Sequence, residues 1–195
     1  RLMPEGGQGH LPRLARYHYQ GYAVVMWNMP IDERATGWLD TTFHLSFREL
    51  LLHAATRALL FCPAYCLMPD HFHFVWMGLR RATDQLNAVQ FLRKQINRLL
   101  APLRLQSQAH DHVLREEERR RGAFAKTCFY ILAHPVRAEL VSEMRDWPFS
   151  GAVVPGYPTL QPFQTNFWEM FWKLYVKVRE AEPPAPTLPP LSGGD

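Results

Sequence analysis

Histidine, tyrosine and lysine recur in this chain at spacings that secondary structure can turn into a site. His71 and His73 flank Phe72 in the stretch Pro69-Asp70-His71-Phe72-His73-Phe74-Val75-Trp76. Successive side chains on a strand alternate faces, so both imidazoles point one way while Phe72 and Phe74 enter the core. Two imidazoles a few Å apart on one face can chelate a divalent metal. Further along, Tyr130 and His134 are four residues apart and share one face of an expected helix, with Lys126 one turn earlier on the same line. At ~100° per residue that line lies roughly 80–120° around from the apolar stripe Phe124, Cys128 and Ile131. A phenol, an imidazole and an ammonium are thereby displayed in a row beside the core, and the helix offers a metal one further ligand. Plainer roles are a surface tyrosine at an interface and a histidine bonded to the helix C-terminus. Pro135 also disfavours helical geometry at His134.

The same histidines admit other partners. Cys62, Cys66, His71 and His73 spell C-x3-C-x4-H-x-H, a ligand set that would close a tetrahedral structural zinc site. Against it, both cysteines fall inside an apolar run, where free Cys is an ordinary core residue. A histidine-triad hydrolase would need a third histidine in register, and that position is Val75. His110-Asp111-His112 is a second H-x-H, but its middle residue is acidic, which suits a polar edge strand or a nucleic-acid contact.

The elements that must position these groups follow from periodicity. Tyr22–Trp27 is aromatic and β-branched and predicts a strand. Ser46–Leu60 predicts a helix, with Ser46 and Glu49 as a capping box and Phe47, Leu50, Leu51, Ala54, Ala55, Ala58 and Leu59 as its stripe. Phe61–Met68 and Phe72–Met77 are apolar runs separated by Pro69-Asp70, a hairpin signal. Thr83–Ala101 predicts a helix with Leu86, Val89, Leu92, Ile96 and Leu99 inward and Pro102 as its stop. Ala109–Leu114 predicts a short strand. Glu116–Ala133 predicts one helix, its acidic start suited to a helix N-terminus. Phe167–Val178 is an aromatic amphipathic segment expected to pack back on the rest. The order β-α-β-β-α-β-α describes an α+β fold: an antiparallel sheet of about four to five strands with helices packed on it.

Composition sets the limits. With 195 residues, 47% hydrophobic and 21% charged, the chain can bury a core, which excludes wholesale disorder. Three cysteines cannot all pair, so a reducing cytoplasm is the expected home. No apolar run approaches ~18 residues, so no membrane span is expected. The start at Arg1, without an apolar leader, reads as a trimmed terminus rather than a signal peptide. A net charge of +4 is too mild to identify a nucleic-acid partner. Its distribution says more: Arg93, Lys94, Arg98 and Arg104 lie on or after the second helix, off its apolar stripe. Arg115, Arg119, Arg120 and Arg121 cluster before the tyrosine. These are candidate phosphate contacts, or else a solvated face salted by Glu116, Glu117 and Glu118.

Taken together, two motifs resemble a family. His71-Phe72-His73 after Leu-Met-Pro-Asp is similar to the His-hydrophobic-His motif of HUH endonucleases. Tyr130-Ile131-Leu132-Ala133-His134-Pro135-Val136-Arg137-Ala138 with Trp147-Pro148-Phe149-Ser150 resembles the single-tyrosine branch, above all the REP-associated tyrosine transposases, relatives of the smallest insertion-sequence transposases. The resemblance implies a ferredoxin-like or RRM-like sandwich. It further implies a Mg²⁺ or Mn²⁺ ion held by His71, His73 and His134, with His134 where the family usually has Asn. Tyr130 would be the nucleophile on single-stranded or hairpin DNA, leaving a 5′-phosphotyrosine, and Lys126 would assist a phenol that ordinarily titrates near ~10. The expected organisation is a flexible N-terminus over 1–10, a nuclease domain over 11–151, a loop and aromatic helix over 152–180, and a disordered Pro-rich tail over 181–195. It would be a bacterial-type, nucleoid-associated cytoplasmic protein, monomer or homodimer. A hairpin-DNA-binding protein that has lost its chemistry is the alternative, and a structural-zinc protein the second.

Overall fold

Two apolar runs on either side of Pro69-Asp70 dominate the middle of the chain. The computed structural model, which describes residues 13–120 and 122–185, folds them back on each other at the centre of a sheet. The expected flexible N-terminus over 1–10, Arg121 and the tail beyond residue 185 lie outside the described residues. In chain order the elements are β1 (Val24–Pro30), α1 (Thr41–Ala58), β2 (Leu60–Met68), β3 (His71–Gly78), α2 (Gln85–Leu100) and β4 (His110–Val113). Then come α3 (Glu116–Arg120), α4 (Ala123–Leu132), a short turn of helix α5 (His134–Arg137), β5 (Ser150–Val153) and α6 (Phe167–Glu180). The strands pair antiparallel in the order β4-β1-β3-β2-β5, an α+β fold of the class expected.

Every residue of β2 and β3 is buried, which for antiparallel strands requires cover on both faces of the sheet. One layer packs Phe47, Leu51 and Ala55 of α1 and Val89, Leu92 and Ile96 of α2 against Trp27, Phe72, Phe74 and Trp76. The opposite layer packs Phe124, Cys128 and Ile131 of α4 and Phe167, Phe171 and Leu174 of α6 against Val24, Val75 and Met77. Burying each such aromatic or aliphatic side chain contributes about 1.5–3 kcal/mol, so the parity of β3 is strongly held. Gly78 closes that strand where no side chain fits: a Cβ would stand 1.7 Å from the Gly21 carbonyl oxygen.

Several expected boundaries move. Helix α1 begins at Thr41 rather than Ser46, because Asp40 is the cap and accepts a 2.7 Å bond from the Phe43 amide. The first strand runs later than Tyr22–Trp27 and reaches Pro30. In α2 the inward residue of the last turn is Leu100, while Leu99 is exposed. The single helix expected over Glu116–Ala133 is two, because Gly122 adopts a left-handed conformation (φ +78°) that ends α3. Strand β5 was not foreseen; Ser-Gly-Ala-Val is too short and small to carry a strand signal, and its pairing with β2 makes it. After α6 the chain is still tied down: Glu182 accepts hydrogen bonds from the Tyr22 hydroxyl and from the Arg81 amide.

Candidate active site

Strand β3 delivers His71 and His73 to the α4 face because Phe72, Phe74 and Trp76 fill the other core. Both histidines are almost fully buried (7% and 3% exposed). Helix α4 lies across β2 and β3 with Phe124, Cys128, Ile131 and Leu132 inward, which leaves Tyr130 beside the histidines at 48% exposure. The pre-proline conflict at His134 is resolved by a break. Helix α4 ends at Leu132 with Ala133 as its cap, and α5 opens with Pro135 in its first turn, where the missing N–H costs nothing. The His134 ring then sits 4.9 Å from that of His71 and 4.6 Å from that of His73, centre to centre. Tyr130 lies 6.2 Å from His73 and 6.1 Å from His134.

One nitrogen from each histidine lies within 4.8 Å of the others, and they form the metal-competent cluster found among the described residues. His73 Nε2 and His134 Nδ1 are buried with no hydrogen-bond partner. His71 Nδ1–H donates to the Asp70 carboxylate at 2.6 Å, which leaves its Nε2 lone pair free, and Arg34 anchors that carboxylate at 2.8 Å. Burial works against the charge of Asp70, but the His71 bond and the charges of His71 and Arg34 outweigh it and hold the carboxyl below its ordinary range. Burial, then His71, His134 and Arg137, push His73 down to about 2. Burial, then His71 and Arg137, push His134 down to about 4. Three imidazoles clustered at one point, two with a buried nitrogen that lacks a partner and the third oriented by a carboxylate, fit a divalent cation.

The cation nearest the tyrosine is not Lys126. The Arg137 guanidinium stacks 4.0 Å from the centre of the Tyr130 ring and donates a 2.8 Å bond to the Tyr130 carbonyl. Arg34, Asp70 and Arg137 had not been assigned roles from sequence; Asp70 alone left a signal, as the acid immediately before a paired histidine. Lys126 is exposed on α4. Arg115 is exposed before α3, and Arg119 is part-buried on it; of the Arg120 side chain nothing is described. Lys94 and Arg98 are exposed on α2, in the layer behind the sheet from the histidines. Arg93 is spent on structure: its guanidinium donates to the Gln106 and Ser107 carbonyls. Arg104 pairs with Asp32.

The zinc set does not assemble. Pro63 sits in a register irregularity of β2, and the extra residue reverses the parity of the strand there. Cys62 therefore joins the α1–α2 core and Cys66 the α4 core, on opposite faces of the sheet.

Fold and site together define an antiparallel α+β sandwich that brings a paired-histidine strand and a tyrosine helix to one point. The chain shares that fold with a solved REP-associated tyrosine transposase bound to a REP hairpin. The TM-score is 0.60 at 20% identity, covering 73% of this chain and 82% of the other. No family model matches the chain, and no curated protein matches its sequence.

Proposed function

We propose that the protein is a metal-dependent single-stranded DNA endonuclease and strand transferase, with Tyr130 as nucleophile and His71, His73 and His134 as metal ligands. The observation that supports this most is the convergence of the Tyr130 ring on three clustered histidines, two of which carry a buried ring nitrogen without a partner. A divalent cation bound there supplies Lewis-acid charge to the scissile phosphate. Three imidazoles suit Mn²⁺ better than Mg²⁺, which prefers oxygen ligands.

Tyr130 Oη attacks phosphorus, its proton passes to water, and the P–O3′ bond breaks. The leaving oxygen takes a proton from water, so one strand departs with a free 3′-OH and the other stays on the enzyme as a 5′-phosphotyrosine. Attack by a 3′-OH on that phosphorus releases the phenol and rejoins DNA without a nucleotide cofactor. Arg137 holds the tyrosine from both sides, by its carbonyl and over its ring. Half-exposure of Tyr130 leaves it open to a polymer rather than a small molecule. The solved structure of similar fold carries a DNA hairpin, which supports DNA as the polymer. We assign the phosphate contacts to Arg115, Arg119, Arg120 and Lys126, which lead into or lie on the tyrosine helix, rather than to Arg93, Lys94 and Arg98.

The test is a labelled single strand carrying a REP-like hairpin, incubated with the protein and Mn²⁺. A denaturant-resistant protein–DNA adduct is expected from the wild type and none from Tyr130→Phe. Tight binding by the wild type with neither adduct nor cleaved product would overturn the nuclease assignment and leave a hairpin-binding protein.

A further inference from the structure

Strand β1 presents one more polar side chain to the triad. In the sheet register Asn28 lies directly opposite His73, and such cross-strand neighbours have Cβ atoms about 4.5–5.5 Å apart on a shared face. Parity puts it on the right face. Val25, Trp27 and Met29 belong to the α1–α2 core, whereas Val24 and Met26 pack on the α4 side, and Asn28 follows them. Its Oδ1 is buried and accepts no hydrogen bond.

Among the described residues seven buried side-chain nitrogen or oxygen atoms lack a partner, and three of them are Asn28 Oδ1, His73 Nε2 and His134 Nδ1. Buried polar groups are nearly always satisfied, so orphans gathered at one place point to a missing shared partner. A carbonyl oxygen accepts but does not donate, and an imidazole nitrogen can offer a lone pair. What satisfies acceptors from both residue types at once is a cation. The neighbour of His73 on its other side offers nothing comparable. Cys66 is turned towards the Met68 sulfur.

We propose that Asn28 is a fourth protein ligand, an oxygen donor that completes the histidine triad from the adjacent strand. This rests on the triad being the metal site. One carboxamide oxygen beside three nitrogens also makes the site more hospitable to Mn²⁺ than three imidazoles alone.

Mn²⁺ affinity of the full chain, without DNA, read from the electron paramagnetic resonance signal of the free ion, tests this apart from catalysis. Asn28→Leu, close in volume and without a donor atom, is expected to raise the Kd by roughly 10–100-fold. Asn28→Asp, which restores an oxygen, is expected to bind at least as tightly as wild type. Wild-type affinity in Asn28→Leu, or weaker binding in Asn28→Asp than in Asn28→Leu, overturns the proposal. If Asn28→Leu does not fold, Asn28→Ala takes its place under the same criterion. Wild-type binding lost in His73→Ala but intact in Asn28→Leu would sink the fourth ligand alone. No binding by the wild type would sink the triad with it.

Discussion

Asp70 shows how a residue outside the ligand set can govern it. The carboxylate fixes which nitrogen of His71 carries the proton, and Arg34 fixes the carboxylate. Replacing it by Asn keeps the size and the turn but removes the charge that holds the imidazole N–H. We expect Asp70→Asn to weaken Mn²⁺ binding by roughly 10–100-fold with little loss of thermal stability, as calorimetric titration and a melting curve would show. An unchanged Kd would mean that His71 needs no such orientation. At this scale legibility was uneven. The His71–His73 pairing was readable because a strand has a period of two, and one intervening Phe settles the parity. Arg137 was not, because its spacing from Tyr130 does not tell that its guanidinium folds back over the ring and onto the Tyr130 carbonyl.

Elements moved where backbone conformation overrode pattern. Apolar spacing runs unbroken enough through 116–133 to predict one helix, yet Gly122 divides it and sets where the tyrosine helix starts. A Cβ there would meet nothing within 4 Å, so only its positive φ resists substitution. Gly122→Ala is therefore expected to cost about 1 kcal/mol, seen as a lower urea midpoint at constant slope. A gain in stability would show instead that the break relaxes into a continuous helix. The irregularity at Pro63 acts in the same way on β2. Cys62 and Cys66 share a face in any regular strand, and the register shift parts them. The cap of α1 was in plain view as Asp40, but the Ser46–Glu49 pair imitates the same signal one turn and a half later.

The whole molecule has two unlike layers. Behind the sheet, α1 and α2 make a packed support; in front, α4 and α6 make a cover, on whose outer side Tyr130 stays half-exposed. Lys94 and Arg98 of α2 lie at the back, and Arg137 lies at the front beside Tyr130. Buried neutral histidines tie stability to pH. His44, bonded to Tyr65 at 2.9 Å, is pushed down by burial and by Arg48 from 6.5 to about 4. The unfolded chain then binds more protons than the folded one between those values, so this contribution is complete above pH 6.5 and is lost as the pH falls towards 4. Urea midpoints should fall across that window, and His44→Gln should fall less steeply. Identical slopes in both proteins would mean that His44 is not held neutral by the fold. No described helix is long and apolar enough to cross a membrane.

Sequence by itself determined the α+β class, the central hairpin, the facing of His71 and His73 and the candidacy of Tyr130 and His134. Each follows from local spacing, since a period of 2 or 3.6 is written in neighbouring residues. Tertiary structure alone decided that the strand and the tyrosine helix meet, that Arg137 rather than Lys126 stacks on the phenol, that the cysteines stand apart, and that Asn28 lies opposite His73. Those depend on sheet register and on which layer covers which face. They are set by burying two cores at once, a condition no local stretch contains.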